Sequence, residues 1–372
     1  MADEFIAETL TGKIQGAFDD GILSFKGIPY AAPPLGAARF QPPAKPAAWA
    51  GVRDATQFGA RAMQNDNAFN LAPEVRAVFA DPPAEPASED CLYLNVWTPA
   101  VDDGGDRPVM VWLHGGAFIS GNGSQPRVDG TRLAAKGNVV VVTLNHRLGA
   151  FGYLYLGDLG GAGYAASGNA GMLDIVAALE WVRDNIEKFG GDPDNVTLFG
   201  ESGGGAKSCA LMAMPAARGL FHKAIVQSGP SVETMDAAAA TATARQVMQE
   251  LGAASVPELV AAPADKLLAA QNAVLARIGA LTFANRRKQG FNPVIDGTIL
   301  PGGPFAPTAP AIAADIPLMI GTNKDEMNLF FSHAPWAEGL SEDKLADAAR
   351  QFLGDRTAAI VAAYRAARPQ DS

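Results

Sequence analysis

Histidine and cysteine are the scarce residues of this chain, four and two among 372. Two cysteines, Cys91 and Cys209, make no disulfide framework, so the fold has to rest on an apolar core. Hydrophobic residues, 48% of the chain, supply one. Basic residues also run short: 29 Lys and Arg stand against 39 Asp and Glu, for a formal net charge of −10. That balance argues against a phosphate backbone or an anionic membrane as partner, and no Lys/Arg run offsets it. No apolar run approaches the roughly 20 residues that a membrane-crossing helix needs. The N-terminus carries three acidic residues in its first eight and lacks the apolar stretch of a secretory signal. The expectation is a soluble, cytoplasmic protein that binds neither nucleic acid nor membrane.

A length of 372 residues allows two average domains or one large α/β domain with insertions. Residues 5–32 alternate in "FIAETLTGKIQG" and "ILSFKGIPY", which predicts an N-terminal β-meander. Residues 63–88 form a long excursion ending in prolines, and read as a mobile flap with Phe69 and Phe79 among its apolar contacts. Short Val/Ile/Leu-rich runs follow at 91–99, 108–116, 138–147, 195–200, 223–229 and 316–323. Several are apolar on both faces, as buried parallel strands are. Between them Met172, Ile175, Val176, Leu179, Val182 and Ile186 recur at helical spacing, and a Gly-Gly pair then stops the helix. Strand and helix in alternation predict one α/β domain over 1–372, with a mainly parallel central sheet flanked by helices. The Ala-rich segment 233–290 reads as a helical cap or insertion within it. The last thirty residues hold two further helical runs.

The chemistry is concentrated in two glycine-rich turns. "VTLFGESGGGAKS" (196–208) reads as a strand, a tight turn and a helix start, with Ser202 at its tip. Gly200-Glu201-Ser202-Gly203-Gly204 fits G-x-S-x-G, the strained turn that lifts a serine nucleophile above a sheet. The helix N-terminus that follows favours negative charge there. "HGGAF" (114–118) follows a strand upstream, where esterases built this way carry an HGGG-type loop aimed at the oxyanion. Gly116 and Ala117 would donate backbone N–H groups from that loop, and Gly203 a third. Neither motif calls for a cofactor or a metal. A plain glycine turn with an inert serine is the bland alternative for either motif alone; their joint occurrence in this order argues against it.

Seven longer stretches then carry a resemblance: "FKGIPYAAPPLGAARFQPP", "SEDCLYLNVWTP", "PVMVWLHGGAFISGNGS", "NHRLGAFGY", "GNAGMLDIVAALEWVRDNIEKFGGDPDNVTLFGESGG", "FHKAIVQSG" and "IPLMIGTNKDE". Together they resemble the type B carboxylesterase and cholinesterase family, its bacterial para-nitrobenzyl-esterase-like members included. The resemblance implies an α/β-hydrolase fold and hydrolysis of small-molecule carboxylic esters through an acyl-serine intermediate. Carried over by position, Ser202 is the nucleophile. Glu326, in Gly321-Thr322-Asn323-Lys324-Asp325-Glu326, is the acid of the triad, with Asp325 as second choice. Glu201 is a supporting carboxylate beside the serine, with a buried structural role as its alternative, and Gly115 supports the oxyanion loop. The chain departs from the family in places. Ala62 stands where the disulfide partner of Cys91 is expected, so Cys91 is a free buried thiol and the flap lacks its staple. Cys209 reads as core packing. Ala117 replaces the third glycine of the oxyanion loop, Gly203 the commoner alanine, and His146 a tyrosine.

A serine nucleophile needs a general base oriented by the acid. In the family this histidine lies far beyond the acid. Here only His333 follows Glu326, by seven residues, and the segment after the acid usually leads away from the serine. His114 belongs to the oxyanion loop, His146 opens a loop and His222 precedes a strand. The expectation is therefore a catalytic histidine outside this chain, which would correspond to the N-terminal part of a longer esterase. The edge of the sheet would then be exposed and prone to self-association. The competing expectation is a binding protein that keeps the fold without the chemistry.

Overall fold

Each Val/Ile/Leu run of the sequence becomes a strand, because a pleated segment buried on both faces needs apolar side chains in both directions. The computed structural model of the chain describes residues 5–66, 85–278, 289–326, 328 and 341–370. The flap's Phe69 and Phe79, and His333, lie outside the described residues. Four N-terminal strands come first: β1 (Ile6–Thr9), β2 (Gly12–Gln15), β3 (Ala17–Asp19) and β4 (Ile22–Pro29). They are antiparallel hairpins, as their alternation predicts, but they divide between two sheets. β1 and β2 join β5 (Val52–Asp54) in a small three-stranded sheet. β3 and β4 pass into the main sheet. The break falls at Gly16, where a side chain would press on the Phe25 ring and Ser24 O.

The main sheet adds β6 (Tyr93–Thr98), β7 (Arg107–Leu113), β8 (Val140–Leu144), β9 (Gly191–Glu201), β10 (Lys223–Gln227) and β11 (Leu318–Gly321). Its eight strands run in the order β11-β10-β9-β7-β8-β6-β4-β3. β8, β7, β9, β10 and β11 pair in parallel. β6, β4 and β3 extend the sheet antiparallel on one side. β8 is buried at every position. α1 (Thr131–Gly137) leads into it, and α2 (Ala170–Asn185) packs against β9. The six apolar positions read at helical spacing from Met172 to Ile186 are all buried.

α3 (Gly203–Met212) leaves the tip of β9 and packs against β9 and β10. Segment 233–290 holds α4 (Ala237–Leu251), α5 (Val256–Ala261) and α6 (Ala264–Ile278) among its described residues, with α4 and α6 in contact. Asp236 and Ser255 cap α4 and α5 by accepting the N–H of Ala239 and Glu258. α7 (Glu342–Leu353) and α8 (Thr357–Ala367) pack on each other and are joined by an Arg365–Glu342 ion pair. Among the described residues no helix is long and apolar enough to cross a membrane. Outermost strand β11 leaves Leu318, Met319 and Ile320 37%, 67% and 54% exposed.

Two buried cations fasten these layers. Arg147 donates from Nε and Nη2 to the two carboxylate oxygens of Asp174 on α2, at 2.8 and 2.6 Å, and from Nη1 to Gln41 O. Its own N–H also reaches Asp174, so every oxygen of that buried carboxylate is used. Arg39 forms a two-pronged pair with Glu89 and donates its remaining nitrogen to Val260 O and Ala262 O at the end of α5. Cys91 and Cys209 are both free and buried, and burial raises both thiols above their ordinary range. Replacing Asp174 by alanine strands the Arg147 charge in the core. We expect a loss of about 3–5 kcal/mol, read as a lower midpoint in urea denaturation; a loss below about 1 kcal/mol would contradict the role given to this pair.

Candidate active site

The parallel register between β7 and β9 sets Leu113 opposite Gly200, so the turns leaving both strands meet at one edge of the sheet. Ser202 sits at the first of these turns with φ +53° and ψ −116°. A non-glycine residue at such a φ is strained, and the neighbours must hold it there. Its N–H is fixed on Gln227 O at 2.8 Å, at the end of β10. The helix can start only because position 204 is bare: a Cβ on Gly204 would lie 1.9 Å from Leu113 O. Ser202 keeps partial solvent contact, and its Oγ makes no hydrogen bond to the described residues.

The second turn, 114–117, leaves β7 and lies against the first. Gly116 and Ala117 have φ of +87° and +51°. A Cβ on Gly203 would come within 2.4 Å of Ala117 N, so the loop and the start of α3 are in close contact. The N–H groups of Gly116, Ala117 and Gly203 have no hydrogen-bond acceptor among the described residues. Three free donors beside a serine at a helix N-terminus can receive a developing oxyanion. Gly115 faces Glu201: a Cβ there would lie 3.0 Å from Glu201 Oε2.

Glu326 reaches the same edge from the far side. Glu201 pairs with Gln227, and Gln227 with Gly321, so the segment after β11 begins two strands from the serine, about 10 Å away. Asn323 N–H donates to Glu326 Oε2 at 2.8 Å. The carboxyl of Glu201 is pushed above its usual range, first by partial burial and then by the Glu326 charge; Arg127 opposes both. The Glu326 charge therefore reaches Glu201 across the site. Asp325, the second choice for the acid, is exposed.

None of the described histidines hydrogen-bonds Ser202. His114 and His146 are buried and stack, with ring centroids 5.0 Å apart and planes within 13°. Each Nδ1 bonds a neighbouring backbone carbonyl, Gly115 O or Arg147 O, at 2.8 Å. Each Nε2 lacks a hydrogen-bond partner among the described residues. Burial, then the Lys207 charge, holds both well below the ordinary histidine range, so both rings are neutral. His222 accepts the N–H of Val196 six residues before Ser202, roughly 20 Å back along β9.

A sequence profile described as the carboxylesterase family matches residues 3–363. The chain belongs to that family. It is 44% identical over 350 residues to the para-nitrobenzyl esterase of Bacillus subtilis strain 168, covering 94% of this chain and 68% of that protein. It is 35% identical to the phenmedipham hydrolase of Pseudarthrobacter oxydans, over 96% of this chain and 69% of that one. A crystal structure of a Geobacillus stearothermophilus carboxylesterase at pH 6.2 superposes with a TM-score of 0.83 and 40% identity, over 99% of this chain and 72% of that chain. The fold is that of the α/β-hydrolases, as the resemblance implied, and the reaction class is carboxylic ester hydrolysis.

For a carboxylesterase, the unforeseen component is Lys207. It is wholly buried on α3, five residues after Ser202. Nζ donates to His114 O at 2.8 Å and to Ala117 O at 2.9 Å, and lies 5.6 Å from the Phe118 ring centre. The signal was present in the sequence as the lone charged residue in the run "GGGAKSCALM", where a surface lysine has no reason to sit. Gln64 was also missed: it exchanges two hydrogen bonds with the backbone of Gly121, at 2.8 and 3.0 Å, just beyond the loop.

Burial pulls the Lys207 ammonium from its ordinary 10.5 down to about 7. Between those values the unfolded chain binds the extra proton, so folding gains stability as pH rises from about 7 toward 10. Lys207→Met removes this titration. The stability difference, wild type minus K207M, should therefore grow by up to about 1.4 kcal/mol per pH unit across that window. Denaturant titrations at pH 7, 8 and 9 measure it; a difference that stays flat would show that Lys207 remains charged.

Proposed function

We propose that the chain acts as a serine carboxylesterase on small-molecule carboxylic esters through an acyl-serine intermediate. The observation that carries this is Ser202 at a strained positive φ, beside three N–H groups without acceptors among the described residues. Ser202 Oγ attacks the ester carbonyl and passes its proton to a histidine. The carbonyl electrons move onto oxygen, where Gly116, Ala117 and Gly203 receive the charge. Collapse expels the alcohol, which takes the proton from the imidazolium. Water then repeats the sequence on the acyl-serine and releases the acid. Glu326 orients the histidine and stabilises its charged form, and Glu201 adds a supporting carboxylate beside the serine.

The histidine itself lies outside the described residues. His114 and His146 are buried and bonded to backbone carbonyls, and His222 bonds Val196 far from the serine. This same point favours one second reading, a protein that binds esters without turnover. The intact serine and the open donors weigh against it. Para-nitrobenzyl esters, named in the Bacillus relative, are the substrates to try first. A cytoplasmic location fits the acidic composition and the unpaired, buried cysteines. The apolar outer edge of β11 is where copies of the chain would associate.

Two measurements test this. A fluorophosphonate probe should label the wild type and leave Ser202→Ala unlabelled; equal labelling of both removes Ser202 from the role. In whichever form turns over para-nitrobenzyl acetate, Glu326→Gln should lower kcat by roughly 10³–10⁴-fold. His333→Ala should change kcat less than about twofold, and a loss as large as that of Ser202→Ala would make His333 the base.

A further inference from the structure

The four consecutive carbonyls of the oxyanion loop are all engaged. His114 O and Ala117 O accept from Lys207 Nζ. Gly115 O accepts from the His114 ring, and Gly116 O from the N–H of Ser120 at 3.0 Å. In a trans peptide the C=O and the following N–H point in opposite directions. Holding Gly115 O and Gly116 O on one side therefore turns the N–H groups of Gly116 and Ala117 to the other. Those two bonds are local, made by the loop to itself. Among the described residues, the carbonyls at either end of this pair are held by Lys207, from a different element 93 and 90 residues away in sequence. Lys207 stands on the same helix whose first residue, Gly203, offers the third donor.

We propose that Lys207 is a positioning residue for ester cleavage: from α3 it clamps His114 O and Ala117 O, and so locks the two halves of the oxyanion hole into one frame. This rests on the serine-esterase reading above. Lys207 touches no substrate. It acts through the peptide planes of the loop. A charged side chain placed wholly out of water is costly unless its donors are used, so its presence under the loop calls for such a role. The clamp survives loss of the proton, because a neutral amine still has two N–H groups for the two carbonyls. The Phe118 ring lies 5.6 Å from Nζ, and His114, whose carbonyl Lys207 holds, stacks on His146.

The test compares wild type with K207M, which keeps the length and loses both donors; K207L, which also loses both, replaces K207M if that variant does not fold. Hydrogen exchange reads the loop without reference to chemistry. We expect amides of 113–120 to exchange at least about tenfold faster in the variant while β8 keeps its protection. With para-nitrobenzyl acetate, kcat should fall about 10²-fold and KM should stay within about threefold, the signature of a donor displaced by roughly an ångström. A trifluoromethyl ketone, which adds Ser202 to form an oxyanion, should lose affinity by a similar factor, and the matching methyl ketone should not. Unchanged loop exchange, equal loosening of β8, or equal losses for both ketones would overturn the proposal. Should Ser202→Ala retain turnover, the serine reading fails instead, and the exchange comparison still decides the role of Lys207.

Discussion

The backbone contact between Gly204 and Leu113 is the constraint on which the site depends. A single Cβ does not fit between them, so the helix after Ser202 starts directly against the end of β7. That closeness forces Ser202 into its positive φ and draws the oxyanion loop alongside. It also carries Lys207 under the loop, one helical turn further on. The placement of Ser202, of the neighbouring N–H groups and of Lys207 follows from one approach of two strand ends, and the strain at Ser202 and Ala117 is the cost of it.

Much of this was legible in the sequence because it is written in short-range patterns. Two-sided apolar runs gave the parallel strands, helical spacing gave α2, and the two glycine motifs gave the turn at Ser202 and the loop that packs against it. What stayed hidden is long-range. Gly16 divides the N-terminal strands between two sheets because of a ring that arrives with β4. The carboxyl of Glu201 is raised by partial burial and then by Glu326, 125 positions later in number and two strands away in space. Lys207 stands out in the sequence only as the lone charge of an apolar run, and its partners His114 O and Ala117 O arrive from 93 and 90 positions earlier. His146, noted in the sequence for replacing a tyrosine, turns out to be the stacking partner of His114.

The buried polar groups behave as joints between layers. Arg147 ties the segment after β8 to α2 and to Gln41, and Asp174 meets it with both oxygens. His146, the residue before Arg147, stacks under the oxyanion loop. The rigidity of the loop is thus continuous with that of the core, through two neighbouring residues and one ion pair. Gln64 and Ser124 extend the same connection outward, since Ser124 Oγ bonds Glu85 and Gln64 holds Gly121. Both ends of the segment between residues 66 and 85 are in this way fastened near the active-site loop.

Arg39 sets an order of events during synthesis. Its partners Glu89, Val260 and Ala262 lie 50, 221 and 223 positions downstream. At a ribosome adding roughly 5–20 residues per second, Arg39 emerges many seconds before α5 exists. Until then its third nitrogen has only water to bond, and the surface that will bury it has to stay open. The N-terminal layer therefore cannot finish drying around Arg39 until the helical segment docks.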